Sequence, residues 1–370
     1  MFTIGKCYRI SLFGASHEEE IGVIIEGLPT GIRIDFNEVQ KWLNRRRPGF
    51  TDVTSERKEY DELSIKSGIF NDLTTGNPVI IAVKNKNIDS SYYENIRFTP
   101  RPGHADFPAY IKYKGHNDYR GSGTFSGRMT IGIVIAGAIA RQILFSRGIE
   151  IFSFTEAIAG KNILEKLSNM TINQDSIYSN DTRTLSKEDS ITFEKIILNT
   201  KEKGDSVGGI VRTIVNNSPI GLGEPFFDSV ESMISHMIFS IPAIKAIEFG
   251  EGFNAAALFG SEHNDEYVLD RPKNKIVTRT NHAGGILGGL TNGMPIEFRV
   301  AIKPTSSIKR EQNTVNIQNM KETTIKVKGR HDPCIVPRIV PVIENATACV
   351  ILDLIYLSEL SQNISKDMEI

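Results

Sequence analysis

A stretch that occurs twice decides the fold of this chain. Residues 68–83 read GIFNDLTTGNPVIIAV and residues 285–300 read GILGGLTNGMPIEFRV, at a constant offset of 217 positions (68 to 285). A second match lies upstream at an offset of 190 positions, and its recurring pairs are Gly14-x-Ser16 with Gly204-x-Ser206 and Pro29-x-Gly31 with Pro219-x-Gly221. Two matches in the same order predict two structurally similar halves.

These halves span about residues 1–150 and 204–360 of a chain that we expect to form a single domain over residues 1–370. Between them, residues from about 160 to 203 are rich in Asn, Ser, Lys, Glu and Asp. Such a composition is typical of a polar insertion at the surface.

Each half combines strand and helix patterns. Short β-branched runs bounded by Gly, Pro or Asn predict strands at Ile21–Glu26, Val79–Lys84, Gly209–Val215 and Ile296–Lys303. Apolar periodicity predicts helices at Asn37–Arg45, Thr130–Ser146, Ser229–Phe239 and Pro341–Leu360. Because strands and helices alternate without a regular βαβ rhythm, we expect an α+β fold with helices sandwiched by sheets.

The bulk composition disfavours several classes of protein. Lys and Arg total 43 against 44 Asp and Glu, which leaves no basic footprint for nucleic acid. The cysteines at positions 7, 334 and 349 form no paired spacing, so neither disulfides nor a zinc site is expected. The apolar run Ile131–Ala140 is expected to be too short to cross a bilayer, and the N-terminus has no signal-peptide pattern. We therefore expect a cytoplasmic protein without nucleic-acid or membrane partners.

Five short segments concentrate residues that folding alone would not require. They are GASH at 14–17, RRRPG at 45–49, RPGHAD at 101–106, RGSGTFSGR at 120–128, and KPTSS at 303–307 together with KGRHDP at 328–333. Arginines at the end of a helix are often only solvated cations, which explains one or two of the three at 45–47. The arginines of the other segments stand beside Gly or Pro. Guanidinium groups match phosphate and carboxylate oxygens with paired hydrogen bonds. The pattern predicts a site for a small polyanion.

His17 and His104 lie in two of these segments. A single loop histidine is usually a surface residue, but two in Gly-flanked polar motifs favour proton transfer near neutral pH. A serine hydrolase is disfavoured because Ser16 and His17 are adjacent and the chain has no GxSxG motif. The sequence also has no metal-ligand spacing, Walker loop or dinucleotide-binding glycine motif.

In this order and spacing, the segments resemble the chorismate synthase family. The resemblance runs from about Gly5 to Glu344 and includes TTG at 74–76, DYRG at 118–121, GLGEP at 221–225, NHAGGILGG at 281–289 and RHDPC at 330–334. It implies the 1,4-anti elimination of phosphate from 5-enolpyruvylshikimate 3-phosphate to give chorismate, a reaction that needs reduced FMN. It also implies a homotetramer whose subunits have helices between antiparallel β-sheets with an internal pseudo-two-fold repeat.

The resemblance implies a role for each matching position. His104 matches the residue that protonates the departing phosphate, His17 the one that supports the charge of reduced flavin, and Asp332 the carboxylate that relays the ring proton near flavin N5. The positions that match substrate-binding residues are Ser16, Arg46, Arg47, Arg101, Arg128 and Arg330. The positions expected at the FMN site are Thr124, Phe125, Ser126, Pro242, Ala243, Gly288, Lys303, Pro304, Thr305, Ser306, Ser307 and Arg330.

The chain departs from the family pattern mainly at the flavin segments. Thr124 and Phe125 alter a loop that is usually rich in Gly and Arg, and Pro242 replaces an asparagine. We expect the reaction to be kept and flavin affinity to be lowered. The alternatives are a catalytically weakened relative that binds shikimate-type phosphates and an unrelated polyanion-binding protein. Whether NADPH reduces the flavin on this enzyme or an outside reductase does so stays open.

Overall fold

The structure is a computed structural model, and it describes residues 2–49, 53, 61–86, 89–163, 172–272, 274–329 and 331–367, with side chains up to residue 362. Its strands are β1 Thr3–Ile4, β2 Arg9–Gly14, β3 Glu20–Glu26, β4 Leu63–Ser67, β5 Ile69–Phe70, β6 Leu73–Thr74, β7 Val79–Lys84, β8 Glu150–Ile158, β9 Lys161–Asn162, β10 Gly209–Asn216, β11 Ile244–Phe249, β12 Tyr267–Asp270, β13 Lys275–Thr278, β14 Ile286–Leu287, β15 Leu290–Thr291, β16 Ile296–Ile302, β17 Glu311–Asn316 and β18 Lys321–Lys326. Its α-helices are α1 Phe36–Arg46, α2 Ser91–Ile96, α3 Asp106–Lys112, α4 Thr130–Ser146, α5 Gln174–Tyr178, α6 Lys187–Glu202, α7 Val230–Phe239, α8 Gly260–His263 and α9 Val336–Asp367.

Two five-stranded antiparallel sheets carry the apolar alternation of the sequence. The first has the order β1-β2-β3-β7-β4, and the second has the order β11-β16-β10-β8-β9. Along β16, Ile296, Phe298, Val300 and Ile302 are buried, while the residues between them are partly exposed. One face of this strand therefore points into the core, as a period of two requires.

Helices α4 and α9 lie between the two sheets. Helix α4 packs against β2, β3 and β7 of the first sheet, α9 packs against β8 and β10 of the second, and the two helices contact each other. They approach so closely at Gly137 that an added Cβ would lie 2.2 Å from the carbonyl oxygen of Asn345. The architecture is α+β with helices sandwiched between antiparallel sheets, which confirms the predicted fold class.

Helix α1 determines the surroundings of the arginine run at its end. Asp35 caps the helix by accepting hydrogen bonds from backbone N–H groups of the first turn. Val39, Trp42, Leu43 and Arg46 are buried at the spacing i, i+3, i+4 and i+7. The helical period therefore places Arg46 on the same buried face as the core residues.

Most of the predicted elements are confirmed. Val79–Lys84 and Thr130–Ser146 have the predicted bounds. β3, β10, β16 and α7 differ from prediction by one residue at one end, and α1 by one residue at each end. The last helix is the exception, because it begins at Val336 and not at Pro341. A proline inside a helix loses one backbone hydrogen bond. Burial of Val336 and Val340 in the core outweighs that loss here.

The polar insertion differs from the surface segment that its composition predicts. Its described part includes α5 and α6, and Ile177, Phe193 and Ile197 are fully buried there. Phe193 and Ile197 are one helical turn apart on the same face of α6. A few apolar residues at helical spacing are enough to attach the segment to the core.

The repeated stretch forms the same local structure twice. Oγ1 of Thr74 accepts a hydrogen bond from the N–H of Ile32 at 2.9 Å and donates to the carbonyl oxygen of Pro29 at 2.6 Å. Thr291 makes both bonds with the equivalent residues of the second half, at the same 2.9 and 2.6 Å. One threonine thus joins the two matching segments within each copy, while the division of the chain near residues 150 and 204 stays a prediction.

Two helical segments are long and apolar enough to span a membrane, Gly127–Ser146 and Val336–Gln362. This corrects the expectation that the apolar run at 131–140 is too short. The most apolar windows of the two segments are 78% and 94% buried inside the protein. Neighbouring elements therefore already cover most of their apolar surface, as in the central helices of a soluble core.

Candidate active site

The sequence segments meet in one cluster, with residues 120–128 at its centre. These residues contact the other segments through three hydrogen bonds, from Arg101 Nη2 to Ser122 Oγ at 2.9 Å, from Ser16 N to Gly123 O at 3.3 Å, and from Arg46 Nη2 to Gly127 O at 3.0 Å. The segment after β16 joins through Ser307, whose hydroxyl accepts from Arg101 Nη1 at 3.3 Å. Loops that are distant in sequence therefore share one site.

A left-handed stretch of backbone makes this arrangement possible. Gly121, Ser122 and Gly123 have φ values of 55°, 73° and 53°. A Cβ on Gly121 would lie 2.3 Å from Nε2 of His17 and 2.7 Å from Oγ of Ser16. Glycine is needed at 121 both for its backbone conformation and for the close approach of His17.

His17 is buried, and its ring is held from two sides. Its Nδ1 lies 2.8 Å from the hydroxyl oxygen of Ser90, and the ring of Tyr93 packs edge-on with 5.4 Å between the centroids. Ser16 is also buried. A fixed imidazole can support the charge of a bound group, and that role of His17 remains a prediction.

The loop from Arg101 to Asp106 folds around the carboxylate of Asp106. Arg101 donates to this carboxylate from Nε and from Nη2, each at 2.8 Å, and Nδ1 of His104 lies 2.7 Å from Oδ1. Burial would raise the pKa of Asp106, but hydrogen bonds from Arg101 and His104 outweigh it and hold this pKa well below its usual range. The predicted acid and a predicted phosphate-binding arginine therefore share one ionised partner.

A second buried carboxylate, Asp61, holds two of the predicted substrate arginines. Its Oδ2 lies 3.3 Å from Nη1 of Arg46, and its Oδ1 lies 3.1 Å from Nη2 of Arg128. Arg46 also donates from Nε to Thr130 Oγ1 at 2.9 Å and from Nη2 to the carbonyl oxygen of Gly127. Each nitrogen of its guanidinium has a protein acceptor, so Arg46 has a structural role, and its predicted substrate contact stays a prediction.

Arg128 connects Asp61 to the loop that carries His17. Its Nε donates to Oδ1 of Asn85 at 2.5 Å, and the amide of Asn85 donates to the carbonyl oxygens of Ala15 and Glu18 at 3.0 and 2.6 Å. Sequence reasoning missed Asp61, Asn85 and Ser90. The one signal for Asn85 is its place directly after a confirmed strand, where loops often carry functional residues.

The three arginines at 45–47 have different surroundings. The guanidinium of Arg45 lies over the rings of Trp42 and Tyr178, at 4.4 and 3.9 Å from their centroids. These are cation–π distances, so Arg45 stabilises the packing of α1. Arg47 is partly exposed and follows the helix, where its N–H donates to Leu43 O at 3.0 Å.

The segment Lys303–Ser307 contacts the turn at Gly103 in the loop that carries His104. Nζ of Lys303 donates to the carbonyl oxygen of Gly103, and a Cβ on Gly103 would lie 3.4 Å from Cβ of Ser306. Burial and the positive charge of Lys245 lower the pKa of Lys303. In the described part of the chain, neither lysine pairs with a carboxylate. The ammonium of Lys303 and the hydroxyls of Ser306 and Ser307 form a donor set that suits a phosphate monoester.

Asp332 lies next to this segment. Its carboxylate pairs with Arg338 in α9, and its carbonyl oxygen accepts from Thr305 Oγ1 at 2.9 Å. Arg338 also donates from Nε to the carbonyl oxygen of Arg46 at 3.3 Å. Asp332 is thus connected through α9 to the arginine run, and its predicted role in proton relay is untested by these contacts.

The remaining predicted cofactor residues lie on several loops. The carbonyl oxygen of Ala243 accepts from Lys303 N at 3.0 Å, which places Pro242 and Ala243 beside that segment. Ser126 Oγ accepts from Arg128 N at 3.2 Å, and Phe125 is 36% exposed. The other members are Thr124, which is partly exposed, Pro304, which is exposed, and Gly288, which is exposed in the turn between β14 and β15.

Arg330 lies outside the described residues. Among the residues that the structure does describe, no group of three or more His, Cys, Asp or Glu side chains could hold a metal ion. The cluster brings together guanidinium, ammonium, imidazole and hydroxyl groups, which can bind an anion.

Comparisons with known proteins give one consistent result. The family model described as chorismate synthase matches residues 8–356. Chorismate synthases from Dehalococcoides mccartyi and Korarchaeum cryptofilum are each 46% identical over 352 residues, which cover 95% and 94% of this chain and 96% of each relative. A crystal structure of chorismate synthase superposes with a TM-score of 0.76 and 27% identity, covering 96% of this chain and 93% of the other.

Proposed function

The chain belongs to the chorismate synthase family, and we propose that the cluster around His104 is its active site. The reaction is the elimination of phosphate from 5-enolpyruvylshikimate 3-phosphate to give chorismate, so the protein is a carbon–oxygen lyase. One observation carries the assignment of the site. Arg101 bonds to Ser307 and Lys303 bonds to Gly103, across 206 and 200 positions of sequence, and the predicted residues converge at these contacts.

The leaving phosphate gains negative charge as its C–O bond breaks, and fixed cations stabilise that charge where water is excluded. Arg101 is 5% exposed and held by Asp106, so its position is set before a ligand arrives. In this proposal Arg101 binds the phosphate, and His104 donates a proton to it as it leaves. Ser16, Arg47, Arg128 and Arg330 complete the substrate site, and Arg46 supports it through its hydrogen bonds to Asp61, Gly127 and Thr130.

We also propose reduced FMN as the cofactor. When bound, it supplies the electron chemistry that the weakly acidic substrate C–H bond requires. Lys303, Ser306 and Ser307 hold its phosphate, since they provide the ammonium and hydroxyl donors described above. His17 and Asp332 face the flavin ring in this proposal. The other residues proposed to line the cofactor site are Thr124, Phe125, Ser126, Pro242, Ala243, Gly288, Pro304, Thr305 and Arg330.

A homotetramer is the proposed assembly, and exposed apolar side chains support it. Phe253 and Phe259 are 83% and 75% exposed, and Tyr267, Leu269 and Ile276 on the hairpin β12–β13 are each more than 60% exposed. Patches of this kind mark protein interfaces. Light scattering of the purified protein should give four times the 41.1 kDa mass of one chain. A cytoplasmic location and the lack of nucleic-acid or membrane partners stay predictions.

The function is tested with the full chain, photoreduced FMN and 5-enolpyruvylshikimate 3-phosphate under anaerobic conditions. Chorismate and phosphate should form in equal amounts. Saturable substrate binding without turnover would favour the weakened relative, and no binding of substrate or FMN would refute the proposed function. Turnover in air with NADPH and oxidised FMN would show that the enzyme reduces its own flavin, and its absence would indicate an outside reductase.

A further inference from the structure

The carboxylate of Asp106 receives four hydrogen bonds from its own loop. Arg101 contributes three, from Nε at 2.8 Å and its backbone N–H at 3.0 Å to Oδ2, and from Nη2 at 2.8 Å to Oδ1. The fourth comes from Nδ1 of His104, which lies 2.7 Å from Oδ1. Gly103, at φ 72°, allows the loop to turn back on itself in this way.

These contacts determine which nitrogen of His104 carries hydrogen. An ionised carboxylate only accepts hydrogen bonds, so Nδ1 of His104 must donate to Asp106. Nε2 is then the nitrogen that can exchange a proton with a ligand. The same carboxylate keeps Arg101 in place, with Nη2 only 3.2 Å from Nδ1 of His104.

We propose that Asp106 is the positioning residue for His104, keeping Nδ1 protonated so that Nε2 delivers the proton to the departing phosphate. This inference rests on the proposed function. As the C–O bond breaks, its electron pair stays on the phosphate oxygen, and that phosphate takes the proton from Nε2. His104 becomes neutral while its Nδ1 still donates to Asp106, so the carboxylate itself exchanges no proton.

Loss of the carboxylate has a specific consequence here. Without it, Nδ1 faces Nη2 of Arg101 at 3.2 Å, and a guanidinium can only donate hydrogen bonds. Nδ1 would then become an acceptor, and the neutral ring would carry its hydrogen on Nε2. That neutral form must take up a second proton before Nε2 can act as an acid, and beside Arg101 alone the resulting imidazolium has no carboxylate to accept from Nδ1 and balance its charge.

The test compares Asp106→Asn with Asp106→Glu in the full chain, using the anaerobic chorismate assay. Asparagine keeps the size of the side chain but replaces one of the two acceptor oxygens with an N–H donor and removes the negative charge, so kcat should fall by roughly 10²–10⁴-fold, the usual worth of general acid catalysis. KM should rise by a smaller factor. Glutamate restores an ionised acceptor and should recover much of the lost kcat. If Asp106→Asn melts far below the unaltered chain, the glutamate variant alone decides between positioning and folding.

A double-mutant cycle separates this role from a general loss of structure. The losses of kcat caused by His104→Ala and Asp106→Asn should not multiply, because the carboxylate has no acid to position once the imidazole is gone. The kcat of the double variant should therefore lie within about ten-fold of that of His104→Ala. Glu26→Gln is the matched control, since the carboxylate of Glu26 accepts two 2.8 Å hydrogen bonds from Arg9 at the exposed surface.

The outcomes distinguish this inference from the proposed function. No chorismate from the unaltered chain refutes the proposed function. Chorismate formation by the unaltered chain, together with a kcat of Asp106→Asn within about two-fold of it or fully multiplicative effects in the cycle, refutes only the role of Asp106.

Discussion

The guanidinium of Arg46 donates to Thr130, Gly127 and Asp61, and it is 3% exposed. We predict that Arg46→Ala lowers the free energy of unfolding by roughly 3–5 kcal/mol, because it leaves a buried carboxylate with one partner fewer. Urea denaturation measures this loss. Arg9→Ala, which breaks an exposed ion pair, should leave the free energy of unfolding nearly unchanged. Unchanged stability with a raised KM would instead support the substrate contact that the sequence predicts.

Two single positions bear on flavin affinity. Pro242 has neither an amide side chain nor a backbone N–H. Thr124 offers only a hydroxyl in a loop that the family resemblance predicts to be rich in Gly and Arg. Each missing neutral hydrogen bond weakens binding by about 0.5–1.5 kcal/mol, and a charged one by more. We predict that Pro242→Asn combined with Thr124→Arg tightens FMN binding by at least ten-fold, measured by quenching of FMN fluorescence.

The matched control for this pair is Thr75→Arg, an added cation at an exposed threonine outside the proposed site. It should leave FMN affinity unchanged. Submicromolar binding by the unaltered chain, with no gain in the double variant, would mean that other residues compensate for both departures.

At the residue scale, the sequence identifies the candidate catalytic and binding side chains but not their hydrogen-bond partners. The histidine and arginine motifs are visible because guanidinium and imidazole groups beside Gly and Pro are uncommon in folding motifs. Asp61 and Asn85 look like ordinary polar residues, and their importance comes from hydrogen bonds to Arg46, Arg128 and Ala15, which only the folded chain brings near. Arg46 is a partial exception, since its helical spacing from Val39 and Trp42 already indicates burial.

Between elements, the contact of α4 with α9 depends on one missing side chain. We predict that Gly137→Ala destabilises the protein, because its Cβ would lie 2.2 Å from Asn345 O and 2.4 Å from Asn345 Cβ, atoms that cannot move independently of α9. Overpacking costs about 1–3 kcal/mol even where side chains can adjust. The melting temperature should fall clearly.

Gly260→Ala in α8 provides the control, because nothing lies within 4 Å of the added Cβ and the backbone there is helical. Alanine is the better helix former, so this variant should melt at the same temperature or slightly higher. Equal melting temperatures for both variants would show that α4 and α9 can separate without cost.

At the element scale, periodicity predicts the centres of helices and strands and their ends to within a residue or so. It fails where packing overrides local preference, as at Pro341, and where a polar composition hides a few apolar anchors, as in α6. The pairing order of the strands was not predictable, because it depends on contacts between segments that are distant in sequence, such as β16 between β10 and β11.

The whole molecule keeps several weakly acidic groups neutral in its core. Burial raises the pKa of Cys334 to about 12, and it also raises the pKa values of Cys349, Tyr8 and Tyr178. Since the folded pKa lies above the unfolded one, their contribution to stability is complete below the ordinary pKa, about 8.5 for Cys and 10 for Tyr. It is lost as the pH rises further, because the unfolded chain ionises first.

We therefore predict that the free energy of unfolding falls above about pH 8.5, with each buried group adding a slope of about 1.4 kcal/mol per pH unit above its ordinary pKa. Urea denaturation between pH 7 and 11 measures it. Cys349→Ala should flatten the curve, whereas Tyr267→Phe, at an exposed tyrosine, should not. A stability that is constant over this range would contradict the burial of these groups.

The contacts that assemble the site also set the order of events when the chain folds. Arg101 and Ser307 are 206 positions apart, and Lys303 and Gly103 are 200 apart, so a very long loop must close before either contact can form. Contacts of such high order arise late, after local helices have appeared. During refolding from urea, helical circular dichroism should recover before chorismate-forming activity, and simultaneous recovery would count against this order. A newly made chain would therefore stay catalytically silent until its last third has been synthesised and has docked onto the first.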